Sequence, residues 1–227
     1  MKIKLTFLLL LNVLFSFGQD EDNVNHLVSS TSLSTFANYD TSIKGSPFIQ
    51  KNYADAKISK LDKKTFSTMY NAHRDFMEIL KDDGTQYFLP SRKYPYEVVF
   101  VSNQITYKAF NFKNKKGNKY GFFKLATNNK TSNLLVRESI ELKEAIKPKT
   151  GYGEYTPSKF RRVKDTYFIN FTKNDIAISL PKKKKSFYNA FSSHSKSIQK
   201  FVKNNKLSIK KEKDLAKIIT YYNTLLK

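Results

Sequence analysis

The sequence predicts a mainly β chain finished by helices (α+β): an antiparallel meander forming an open barrel or sandwich, packed by a C-terminal helical hairpin. Three observations predict it. Aromatic residues are abundant, with 19 Phe and 14 Tyr, and such side chains suit the pleated, half-buried surface of a strand. Up to about residue 180, short apolar runs alternate with tight polar turns, the pattern of consecutive antiparallel strands. Beyond Pro181 the apolar period lengthens from two to between three and four, which is the period of a helix.

Residues 1–18 read as a cleavable signal peptide. Lys2 and Lys4 supply the positive start, Leu5 to Phe17 the apolar run, and Ser16 and Gly18 the small residues before a cleavage site at Gln19. The run falls short of the about 20 apolar residues that cross a bilayer, and no later stretch is apolar enough to do so. The expected location is therefore the periplasm or the extracellular medium. The chain has no cysteine, so the domain must be held by its core rather than by disulfides. Residues 19–44 are polar, rich in Ser, Thr and Asn, and read as a poorly ordered lead-in.

The β-rich domain is placed at 45–180, beginning with Gly45-Ser46-Pro47. Strands are expected from Phe48 to Lys51, Ala54 to Ser59, Tyr70 to Leu80 and Tyr96 to Val101. After a turn at Asn103 they continue from Ile105 to Phe112 and, past a turn at Lys115 to Asn118, from Tyr120 to Ala126. Leu134 to Ile146 fits a strand with Leu134, Val136, Ile140, Leu142 and Ile146 on one face. As a helix it would bring Glu138, Glu141 and Glu144 together at i, i+3 spacing; the strand is favoured. Asp165 to Phe171 and Ile176 to Leu180 read as a hairpin around Lys173-Asn174. In the C-terminal hairpin, 181–227, Phe187, Ala190, Phe191, His194, Ile198, Phe201 and Val202 make one helix stripe. Asn204 and Asn205 are expected to end that helix and Ser208 to cap the next. Leu215, Ile218, Ile219, Tyr222 and Leu226 form the second stripe.

Several stretches carry a resemblance: SFGQ at the end of the leader, Gly45-Ser46-Pro47-Phe48, Tyr107-Lys108-Ala109-Phe110 and the ending FVKNNKLSIKKEKDLAKIITYYNTL (201–225). The chain resembles an uncharacterised family of secreted or periplasmic proteins of Bacteroidetes-type bacteria. The likeness covers most of the mature chain and is strongest in its last quarter. The resemblance implies an envelope or extracellular location and implies no activity.

Lys and Arg number 41 against 19 Asp and Glu, a net charge of +22, of which +20 stays after Lys2 and Lys4 leave with the leader. Such a field attracts polyanions. Only Arg74, Arg92, Arg137, Arg161 and Arg162 can offer the bidentate fork that suits phosphate, so nucleic acid is disfavoured and an anionic envelope lipid or glycan is the expected partner. Lys182, Lys183, Lys184 and Lys185 are the anion-binding candidates. Four cations before a helix oppose its dipole, and a bound polyanion would relieve that repulsion; plain solvation is the competing explanation.

The chemistry-bearing residues are sparse. His26, His73 and His194 lie far apart and have no metal-ligand spacing, so neither metal nor cofactor is expected. His73 and Asp75 would share a strand face and are the polar-site candidates. Glu138, Glu141 and Glu144 could pair as carboxylates, but Arg137, Lys143 and Lys147 among them balance their charge. No nucleophile elbow, phosphate loop or zinc pattern is present. The expected function is that of a non-catalytic binding protein of the envelope acting through a Lys-rich face. The alternatives are a carrier of an apolar ligand in an open barrel and, third, a hydrolase without a recognised site.

Overall fold

The computed structural model describes residues 42–61, 65–91, 96–114, 117–147, 154–172 and 174–226, together with the backbone of Val28–Ser29. The expected signal peptide and most of the polar lead-in lie outside the described residues, as do Lys115-Lys116 and Lys173. The fold is mainly β with C-terminal helices. Among the described residues no helix is long and apolar enough to cross a membrane.

Eleven strands form one sheet: β1 (Val28–Ser29), β2 (Ala54–Ile58), β3 (Phe66–Asn71), β4 (Phe76–Leu80), β5 (Gln86–Pro90), β6 (Glu97–Phe100), β7 (Thr106–Asn114), β8 (Gly117–Leu125), β9 (Ser132–Lys143), β10 (Lys159–Phe171) and β11 (Ile176–Ser179). Their order is β1-β5-β4-β3-β2-β6-β7-β11-β10-β9-β8, and β8 pairs back onto β7. Strands β7 to β11 therefore close a five-stranded barrel, and β1 to β6 extend from it as a wing. Each barrel strand runs antiparallel to the next in sequence. With five strands the first and last point the same way, so β7 and β11 close the ring in parallel, Ile176 opposite Asn111 and Ala177 opposite Phe112. Strand β7 is the branch point: Thr106 to Lys108 pair with β6, and the later residues pair with β11.

Short side chains set the turns. The Asn71 carboxamide oxygen accepts the N–H of His73 and of Arg74 at 3.2 and 2.9 Å, and Asp75 follows with φ +66°. This side-chain capture of the backbone is the local alternative to a strand ladder. It splits the single strand expected from Tyr70 to Leu80 into β3 and β4. The Phe48 to Lys51 strand also fails to form: Phe48 makes one isolated bridge with Asn71, and the Gln50 side chain takes over by accepting the Tyr70 N–H at 2.8 Å. Leu134 to Ile146 resolves as strand, in β9.

Three apolar clusters stack through the molecule. Inside the barrel, each of the five strands contributes to Phe110, Phe112, Phe123, Leu135, Phe168 and Ala177. The wing closes over the outer face of β7, β8 and β9 through residues such as Ile79, Val98, Tyr107, Phe122 and Ile140. A third cluster joins Leu134 of β9 and Ile169 of β10 to three helices: α1 (Lys184–Asn189), α2 (Ser195–Asn204) and α3 (Glu212–Leu225).

The helical stripe expected as one helix from Phe187 to Val202 is broken. A 3-10 turn at Ser192–His194 separates α1 from α2, and Ser192 sits at φ +48°. The break leaves Phe187, Phe191, Ile198 and Val202 buried. The left-handed residue after α2 is Lys206 at φ +51°; Asn205 has φ −94° and instead donates its side-chain amide to the Phe201 carbonyl at 2.9 Å. Ser208 does not cap α3, which starts from an extended Lys211 with no side-chain cap. The Asp214 carboxylate accepts the Ser208 N–H at 3.0 Å, tying the connection to the first turn. Asn223 of α3 locks the helix to the sheet, its oxygen accepting the N–H of Thr131 and Ser132 while its amide donates to the Ser132 carbonyl.

Candidate functional site

The lysine candidates lie on the helical layer. Lys182, Lys183, Lys184 and Lys185 are all exposed, and α1 starts behind an extended Lys183 without a side-chain cap or an acidic residue in its first turn. More cations share the layer. Lys196, Lys200 and Lys203 fall at i, i+4 and i+7 on the outer side of α2, while Ile198 and Val202 are buried on the other. Lys213 and Lys217 repeat that spacing on α3, and Lys206, Lys210 and Lys211 occupy the connection. All are exposed. The two acids of the layer are spoken for: Glu212 pairs with Lys124 at 2.9 Å, and Asp214 holds Ser208. The sequence between 182 and 226 contains no arginine. The outcome is a surface of point charges without counter-charge.

His73 and Asp75 do not form a pair. Both sit in the β3–β4 turn, where successive side chains diverge. The His73 Nδ1 lies 3.2 Å from the Ile140 carbonyl and the ring packs edge-on to Phe160. Asp75 enters the closed end of the barrel. There the Arg137 guanidinium donates to it from two nitrogens at 2.8 and 2.7 Å, and the Tyr70 hydroxyl and Phe122 N–H donate as well, at 2.9 and 3.1 Å. The carboxylate and guanidinium side chains are only 12 and 11 % exposed. Burial lowers the Arg137 guanidinium, but the Asp75 charge, Tyr70 and the hydrogen bond to Asp75 together outweigh it and hold the group above its ordinary value. Burial and Asp75 together push the Tyr70 hydroxyl well up.

The acidic series on β9 does not converge. Glu138 is buried and accepts hydrogen bonds from the Tyr107 hydroxyl and, at 2.7 Å, from Arg162, which also bridges to Asp165. Burial and Glu138 push the Tyr107 hydroxyl up. Glu141 is exposed, with Lys143 and Arg161 each at 3.7 Å. Among the described residues no group of three or more His, Asp or Glu could hold a metal ion.

At the other end the barrel is open. Where β7 and β11 begin and β8 ends, a cavity of about 480 Å³ enters between the strands, in the range of small-ligand pockets (roughly 300–1,000 Å³). Phe110 and Leu125 supply its apolar part, and Asn128, Asn129, Asn133, Asn170 and Asn174 much of its wall. Glu97, Asp175 and Lys108 add charge at the rim. Asn133 and Asn170 are buried at 7 and 3 % exposure. Sequence reading missed this site. Its signal was the density of asparagines at strand ends, but 128–133 and 170–174 are adjacent only once the barrel closes.

Comparison of the chain with family models, with curated proteins and with solved structures gave no match.

Proposed function

We propose that this is an exported, non-catalytic protein of the cell envelope that adsorbs on an anionic lipid surface through its helical layer. The observation that carries this reading is the set of twelve exposed lysines from Lys182 to Lys217 with no outward-facing acid between them. Lysine is a compact, hydrated point charge, suited to a diffuse array of headgroups rather than to one fixed phosphate. Each exposed cation near such a surface contributes on the order of 1 kcal/mol, screened by salt. Strand β11, which leads directly into the lysine run, also presents Ile176 and Ile178 half exposed, at 50 and 48 %. Branched apolar side chains beside cations favour a lipid surface over a hydrophilic glycan chain. The leader pattern and the family resemblance add the exported location. The carrier alternative is weakened by the wall of the mouth cavity, which is mostly polar, with Phe110, Leu125 and Ala126 its only apolar members among the described residues.

Co-sedimentation with vesicles tests the reading. The protein should pellet with vesicles containing phosphatidylglycerol, stay free with pure phosphatidylcholine, and be released by salt. Changing Lys182, Lys183, Lys184 and Lys185 together to Gln should shift release to lower salt. Equal behaviour on both vesicles would refute the proposal, and retention on heparin alone would put an anionic glycan in the lipid's place.

A further inference from the structure

We propose that the open mouth of the barrel binds a neutral sugar unit, by a site separate from the lysine face. The argument starts from Asn170. Its amide donates both protons to main-chain carbonyls, of Asn174 at 2.8 Å and of Ile176 at 3.1 Å. Two acceptor partners fix which end of the carboxamide is nitrogen. The oxygen makes no hydrogen bond to a described residue, on a side chain only 3 % exposed. No sealed side-chain polar atom lacks a partner among the described residues, so this oxygen is reached from the cavity that Asn170 lines. A buried acceptor favours a donor, and a ligand hydroxyl supplies one.

The surroundings narrow the ligand class. Asn128 is exposed and its side chain makes no hydrogen bond to a described residue, so its amide offers both donors and an acceptor to the same space. The Phe110 ring, beside Leu125, gives an apolar patch on which the C–H face of a pyranose can rest. Glu97 and Asp175 lie at the rim with Lys108, and none of the three forms an ion pair within the described residues. Among the described lining residues, two carboxylates against one ammonium disfavour an anion, so the mouth does not repeat the lysine face. A wholly apolar ligand would leave the Asn170 oxygen and the Asn128 amide unpaired, which is costly. A neutral polyhydroxylated ring satisfies both the amides and the apolar patch.

Saturation-transfer NMR with glucose, mannose, galactose, N-acetylglucosamine and their β-1,4-linked dimers tests this. At least one saccharide should receive saturation from the protein at millimolar concentration. Asn170→Ala should weaken it at least tenfold. Because Asn170 also ties the β10–β11 turn, Asn128→Trp provides a second variant, placing a ring across the mouth from an exposed position; it should abolish the transfer with an unchanged circular dichroism spectrum. The Lys182–Lys185 glutamine variant should bind sugar as the parent does, whatever becomes of vesicle binding. No transfer to any saccharide, or transfer undiminished in Asn128→Trp, overturns the proposal.

Discussion

Arg137 and Asp75 are 62 positions apart, and neither has a local sequence feature that points to the other. Their meeting depends on the β3–β4 turn reaching the end of the barrel, where the guanidinium also lies 5.2 Å from the Phe112 ring centre and 5.4 Å from that of Phe123. A buried pair of this kind adds little net stability, yet stranding one partner costs about 3–5 kcal/mol. Arg137→Met should therefore lower the urea midpoint strongly, and the double change Arg137→Met, Asp75→Leu should recover part of the loss. A single and a double variant of equal stability would show that the Asp75 carboxylate is not stranded. Gly121 makes room for the pair: a Cβ there would stand 2.7 Å from an Arg137 nitrogen and from the Phe112 ring. Gly121→Ala should cost about 1–3 kcal/mol by overpacking, read from the same denaturation curves. The sequence placed His73 and Asp75 on one face because strand periodicity was assumed through Asn71; a single carboxamide bonding two backbone N–H groups overrode it.

At the scale of elements, the short strands β2 and β11 fall where expected, whereas β10 starts at Lys159, well ahead of the expected Asp165. Strands β6 to β9 fall where the apolar pattern put them, since nine to twelve residues of alternation leave few competing interpretations for β7, β8 and β9. Strand β5, Gln86–Pro90, was not anticipated: five residues ending in proline carry too little pattern, and pairing with β4 decides the matter. Strand β1 arose inside the polar lead-in, where Val28 and Ser29 pair with Phe88 and Tyr87, a contact no local pattern announces. Both C-terminal stripes mark buried faces, except that Ala190 is exposed and the first stripe was wrongly joined. Phe187 and Ile198 are fully buried on separate helices, because a 3-10 turn changes the path without turning the apolar face outward. These faces meet the outer side of β9 and β10, so the layer belongs to the core. Ile218→Ala should cost about 2–5 kcal/mol, a large share of the about 5–15 kcal/mol that stabilises a domain. Removing residues 207–227 should expose Leu134 and Ile169, lower the thermal midpoint and raise binding of an apolar dye. An unchanged midpoint would make the helices a detachable tail.

For the whole molecule, exposed lysines occur on the strands as well as the helices, whereas the buried carboxylates of Asp75 and Glu138 are sorted inward, each held by an arginine and a tyrosine. That sorting gives the stability a direction with pH. The Tyr70 and Tyr107 hydroxyls are both pushed above the ordinary tyrosine value, first by burial and then by Asp75 and Glu138 respectively. Below the unfolded value of about 10, both states hold these protons and stability is insensitive to them. Above it the unfolded chain releases protons that the native state retains, so the unfolded state binds fewer and stability falls as pH rises. Thermal midpoints measured between about pH 8 and pH 12 should therefore decline more steeply in the parent than in Tyr107→Phe, which has no hydroxyl to ionise when unfolded. The variant begins less stable, because Glu138 loses the donor that Tyr107 supplies, and the two curves should converge as pH rises. Parallel curves would mean that the buried tyrosines do not govern the alkaline limit, leaving the arginine–carboxylate pairs or general charge to set it.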